Sequence, residues 1–147
     1  MFAVPENTIA SAATAPTVHP ALIAHEYARD RDRWGHLLRY DPDQRYTVLV
    51  QRTPDQEVWL MSWLPGQSTD LHDHGHASGA FTIVSGELTE YVVNRGVTHR
   101  VGVGQSRVFG PGYEHEVRNA GPDPAVSIHV YRAARTMRQL EPLPRAS

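Results

Sequence analysis

The 147-residue chain sets 14 Lys and Arg against 16 Asp and Glu, so it has no basic excess for nucleic acid, and it is long enough to bury one core. Nine His and no Cys exclude disulfides and thiolate metal sites, and suit a reducing cytoplasm. No stretch approaches the ~20 apolar residues that span a bilayer, and residues 1–20, rich in Ala, Thr and Pro, lack the basic start and apolar run of a signal peptide; a mobile arm is expected there.

Residues 21–39 read as helical. Leu22, Ile23, Tyr27, Trp34, Leu37 and Leu38 recur at three-to-four spacing, Gly35 and the charged run at 29–33 are where the helix would split, and Asp41-Pro42-Asp43 ends it. Short β-branched and aromatic runs follow at 46–52, 58–64, 80–84, 88–93, 98–103, 106–109, 115–118 and 125–132, with a turn at 53–56 and a hairpin connection at Asn94-Arg95-Gly96. Strands this short and evenly spaced predict an antiparallel sandwich or barrel at 45–132. The chain is then mainly β, with one domain at 21–147 that ends in an irregular tail at 133–147.

The chemistry concentrates in GQSTDLHDHGHASGAFTIVSG, residues 66–86. On a strand His72 and His74, two apart, project from one face, so both imidazoles reach one point, whereas His76 falls in the turn beyond. A second cluster, Gly112-x2-His115-x3-Asn119, offers a third imidazole. In VSIHVY the polar Ser127, His129 and Tyr131 alternate with the apolar Val126, Ile128 and Val130, so the polar row would line a cavity and the aliphatic row would pack outside. Imidazole suits Fe, Cu, Ni and Zn alike.

The runs G-x5-H-x-H and G-x2-H-x3-N resemble the two cupin motifs, and LHDHG, EHEVRN and SIHVY in this order resemble the cysteine dioxygenase type I family of thiol dioxygenases. That resemblance implies a cupin jelly-roll β-barrel, with Fe(II) held by His72, His74 and His115. Ser127, His129 and Tyr131 would orient substrate and dioxygen. Gly79 stands where cupins usually have Glu and mammalian members have Cys, which leaves three neutral ligands and open space, and rules out the family's Cys–Tyr thioether.

Family members that prefer cysteine carry an Arg at the place of Val48. Here Arg52, which by alternation shares the strand face of Tyr46, is the nominated substrate-carboxylate anchor, with Tyr46 as a hydroxyl donor and Met61 and Trp63 shaping the pocket. The implied activity is addition of both atoms of O2 to the sulfur of L-cysteine, in the cytoplasm and in cysteine catabolism, by a monomer or weak homo-oligomer without nucleic-acid or membrane partners. Two alternatives stand beside it: the same reaction on another small thiol such as 3-mercaptopropionate, and a non-redox metal-binding cupin acting as a ligand sensor. A cupin sugar isomerase would want the carboxylate ligand that position 79 lacks.

Overall fold

Two antiparallel sheets face each other in the computed structural model, which describes residues 18–132. The expected tail at 133–147, and the arm up to residue 17, lie outside the described residues. One sheet has the order β1-β2-β8-β3-β6, from β1 (Tyr46–Arg52), β2 (Gln56–Trp63), β3 (Ser78–Ser85), β6 (Ser106–Phe109) and β8 (Ala125–Arg132). The other has the order β5-β4-β7, from β4 (Glu87–Val92), β5 (Val97–Gly102) and β7 (His115–Arg118). Four of the strands, β1, β6, β7 and β8, have the bounds that their β-branched and aromatic runs predict.

Both faces of the five-stranded sheet are covered, which is why β2 and β8 are apolar on alternate sides and buried throughout much of their length. Toward the second sheet, Met61, Trp63, Phe81, Ile83, Phe109 and Tyr131 pack with Leu88, Val101 and Val117. Away from it, Val58, Leu60, Val126, Ile128 and Val130 pack under Ala24, Tyr27 and Trp34. The site belongs to the first of these layers.

The helical segment is shorter than its sequence pattern suggests. Helix α1 (Pro20–Ala28) begins with Pro at its first position, and the His19 Nδ1 accepts from the Ala21 amide. The break falls in the charged run where a split was expected, but beyond it come two single 3₁₀ turns, Arg31–Arg33 and Gly35–Leu37, in place of a second helical piece. The reason lies at the Tyr27 carbonyl, which accepts from the Asp30 amide (3.0 Å) and from the buried Trp34 indole (2.7 Å) instead of from an amide four residues on. A nine-residue helix is below the ~12–15 residues that hold alone in water, so packing on the sheet maintains it. No helix among the described residues is long and apolar enough to cross a membrane.

A bulge in β1 decides which side chains can reach the interior. Leu49 pairs with Trp59 but Gln51 pairs with Val58, so Val50 is an extra residue and the alternation inverts there. Tyr46, opposite Ser62, faces the helical layer, and Arg52, opposite Glu57, faces the other way. The two do not share a face.

Candidate metal centre

Residues 66–72 run antiparallel beside β7. The amides of Thr69 and His72 donate to the carbonyls of Val117 and His115, and the His115 amide returns a bond to the His72 carbonyl. Gly66 and Gly112, which lead into the two motifs, have φ of 90° and 74°, values that a side chain would strain. Buried Asn119 closes the same region, its Nδ2 donating to the carbonyls of Trp63 (2.9 Å) and Asp123 (2.8 Å).

The H-x-H segment is not the regular strand that its spacing suggests. His72 makes one isolated bridge with His115, after which the chain leaves β7 and turns at Gly75, whose amide donates to Asp73 Oδ1 (2.8 Å). That turn, rather than strand alternation, brings His74 back beside His72. Asp73 and His76 stay exposed.

Ring nitrogens of His72, His74 and His115 lie within 4.8 Å of one another. Their outer hydrogen bonds decide which nitrogens are free. His72 Nδ1 donates to the Asp70 carbonyl (2.7 Å) and His115 Nδ1 donates to Glu90 Oε2 (2.7 Å), so on both rings Nε2 is left as a bare lone pair. His72 Nε2 is buried without a partner, and His115 Nε2 faces His74 Nε2 at 3.3 Å. Burial lowers the His72 pKa and holds His74 down to about 3, with the neighbouring imidazoles adding to the effect at His74. Neutral lone pairs converging in a buried space are what a soft-to-borderline divalent cation requires. The three residues therefore fit a metal.

Ser127, His129 and Tyr131 line the same interior face. Ser127 Oγ sits 2.7 Å from His129 Nε2 and accepts from the Trp63 indole at 2.9 Å, so Trp63, opposite Ala125, holds the row in place. Met61 lies opposite Ser127 and is buried. The Tyr131 ring is 5.0 Å from that of His74, and burial raises its pKa well above the usual phenol range, which keeps its proton on. His129, stacked on Phe81, is kept neutral first by burial and then by the charge of Arg45.

That Arg45 is the residue that motif reading misses. Among the described residues five buried side-chain nitrogens have no hydrogen-bond partner, and four of them belong to Arg45, His72 and His74. The Arg45 guanidinium lies 5.6 Å from the centre of the Trp63 ring, burial lowers its pKa against the opposing charge of Asp70, and its own charge also bears on Tyr131 and His72. Guanidinium nitrogens buried without a hydrogen bond are costly, and sites of this kind are where an anionic ligand can supply the missing acceptors. The signal was one residue before Tyr46: if Tyr46 faces the helix, Arg45 faces the interior.

Arg52 differs in each respect. Its Nε and Nη2 both reach Glu57 Oε2 at 2.7 Å, and its side chain is 58% exposed, so it already has a carboxylate within the chain. Tyr46 is turned away, its hydroxyl donating to the Leu37 carbonyl (3.3 Å). Neither is brought to the three imidazoles.

The family model of cysteine dioxygenase type I matches residues 9–139. The chain belongs to that family. Its fold is the cupin type: a protein of Klebsiella pneumoniae with a double-stranded β-helix domain superposes with a TM-score of 0.63 at 25% identity, over 70% of this chain and 89% of that one. The TT1209 protein of Thermus thermophilus gives 0.62 at 24%, over 67% and 92%, and a cupin 2 barrel protein of Leptotrichia buccalis gives 0.57 at 21%, over 67% and 45%. No curated protein matches the sequence.

Within this cysteine dioxygenase family member, position 79 is not open space. A Cβ on Gly79 would stand 2.0 Å from the Val130 carbonyl oxygen and 2.7 Å from Phe109 Cζ. Phe109 stacks on His74 (4.4 Å between centres) and borders Tyr131 (5.7 Å), so an aromatic ring occupies the space that a side chain at 79 would enter. Gly79→Glu should accordingly lose stability, by roughly 3 kcal/mol or more because backbone must move, and should not gain a fourth ligand. Chemical denaturation of the metal-free variant checks this; an unchanged midpoint would mean that β3 and β8 can part without cost.

Proposed function

We propose that this protein is an iron-dependent thiol dioxygenase that adds both atoms of O2 to the sulfur of L-cysteine, giving cysteine sulfinic acid, and that it works in the cytoplasm as a monomer or weak homo-oligomer. The observation that carries the reading is a cluster of three neutral imidazoles beside a guanidinium whose Nε and Nη2 are buried without a hydrogen-bond partner. Fe(II) held by His72, His74 and His115 would supply the Lewis acidity that deprotonates a coordinating thiol and the electrons that make O2 reactive.

The rest falls to side chains. Arg45 takes the carboxylate of the substrate, in the manner in which guanidinium grips two oxygens in one plane, with Trp63 supporting the cation from the side. Tyr131, kept protonated by burial, donates a hydrogen bond toward the reacting atoms. Ser127 and Trp63 fix the His129 ring behind it. The reaction balances as thiol plus O2 to sulfinic acid: sulfur is oxidised, both oxygen atoms are reduced onto it, and the thiol proton ends on the sulfinate, so no external reductant is needed.

One observation favours a second substrate. Val48, at the family's usual anchor position, packs in the helix-side cluster, so carboxylate recognition starts from a different place and 3-mercaptopropionate becomes the runner-up. O2 uptake by the iron-loaded protein on a panel of L-cysteine, 3-mercaptopropionate and cysteamine tests both readings. Fastest turnover is expected with cysteine; no uptake on any thiol would defeat the dioxygenase assignment.

Because the chain has no Cys, Tyr131 should remain an ordinary phenol. Intact mass should be the same before and after turnover, without loss of two hydrogens. Tyr131→Phe should keep its iron while turnover falls ~10- to 100-fold; wild-type turnover would make the residue purely a packing group.

A further inference from the structure

The three imidazoles differ in what stands behind them. His74 Nδ1 is buried and partnerless, and His72 Nδ1 has a backbone carbonyl, but His115 Nδ1 has a carboxylate. That carboxylate, Glu90, is wholly buried at an inward position of β4, between Leu88 and Val92 in the alternation. Besides His115, it accepts from Tyr113 Oη at 3.2 Å, and its other oxygen accepts from Arg107 Nε at 2.8 Å. Arg107 comes from β6 in the facing sheet and reaches the surface, where it lines a cavity of about 380 Å3 with Tyr113, Asn94 and Arg95. A chain of contacts thus runs from the protein surface, through one buried anion, to one of the three ligand candidates.

From this geometry we infer that Glu90 is a positioning residue that makes His115 the strongest donor of the three and returns, one bond removed, the negative charge that Gly79 and Phe109 deny to the ligand set, with Arg107 limiting how much of that charge the metal feels. A hydrogen bond from imidazole to carboxylate fixes the tautomer and raises ligand basicity. The bland account is that Arg107 and Glu90 merely tie the two sheets. The two accounts differ in sign. If Glu90 tunes the metal, removing its charge and removing its compensator should push the centre in opposite directions; a structural tie would weaken alike from either end.

The inference rests on the triad binding a metal and not on the dioxygenase reading. Two measurements on the full chain test it: Co(II) affinity by competition with a chromogenic chelator, and the midpoint potential of the iron-loaded protein. Glu90→Gln should bind Co(II) ~10- to 100-fold more weakly and raise the potential, since less negative charge favours the ferrous state. Arg107→Met should lower the potential. Shifts of the same sign, or wild-type affinity and potential in Glu90→Gln, would overturn the inference. Should Glu90→Gln fail to fold, Arg107→Met decides alone, an unchanged or raised potential counting against it. A wild type that takes up no Co(II) would overturn the metal site itself, and this inference with it.

Discussion

His115→Ala should emerge from reconstitution with less than about a tenth of the wild-type iron, and His72→Ala and His74→Ala should follow it, because two imidazoles rarely hold Fe(II) against water and buffer. The fold is expected to survive, since what joins residues 66–72 to β7 is backbone hydrogen bonding that the substitution leaves in place. His76→Ala is the matched control: it removes an exposed imidazole from the same short segment and should leave the metal content alone. Iron measured against protein by absorption spectrometry separates the cases. Full occupancy in His115→Ala would end the assignment of this triad as a metal site.

The second large effect is expected at Arg45. With L-cysteine, Arg45→Ala should lose ~10- to 100-fold in kcat/KM, the value of a charge-assisted hydrogen bond of ~1.5–3 kcal/mol. With cysteamine, which has no carboxylate, it should match wild type. Arg52→Ala, which takes the cation from the buried Glu57 carboxylate, should leave the ratio of the cysteine rate to the cysteamine rate unchanged. Stability adds an independent sign: Arg45→Met should raise the melting temperature of the metal-free protein, because the cost of burying the guanidinium outweighs the attraction of Asp70. Equal losses on both substrates would place the carboxylate elsewhere and leave Arg45 a role in shaping the cavity.

The two anchors show what the sequence could and could not convey. The motifs G-x5-H-x-H and G-x2-H-x3-N grouped His72, His74 and His115, because glycines at positive φ and a fixed number of residues between ligands leave a local trace, although a turn at Gly75 and not strand alternation brings His74 to His72. The strand run at 125–132 was equally plain, since both of its faces are buried and its polar row alternates without interruption. The strand-face argument for Arg52 failed for a non-local reason. Counting by twos from Tyr46 assumes an unbroken strand, and the extra residue at Val50 reverses the count. Tyr46 itself was placed by a motif that does not say which face is covered by a helix. Gly79 was read as an absence, and only the packing reveals that Phe109, thirty residues on, is its complement. Glu90 left a visible sign, a carboxylate at an inward position between Leu88 and Val92, but such a sign is ordinary until the buried partner is known.

The reciprocal backbone bonds between His72 and His115, at 3.0 and 2.9 Å, fix two of the ligand candidates before any ion arrives. A site built this way needs little reorganisation on loading, so the metal-free protein should accept ions quickly and without a folding step. Readiness has a consequence for choice. Imidazole donors follow the general order in which copper, nickel and zinc outrank ferrous iron, and nothing in a rigid, neutral trio penalises the stronger binders. Discrimination then passes from the protein to its surroundings: which ion it carries depends on which ions are free around the folded chain, and the same polypeptide made in zinc-rich and in iron-rich medium should be recovered with different metal contents.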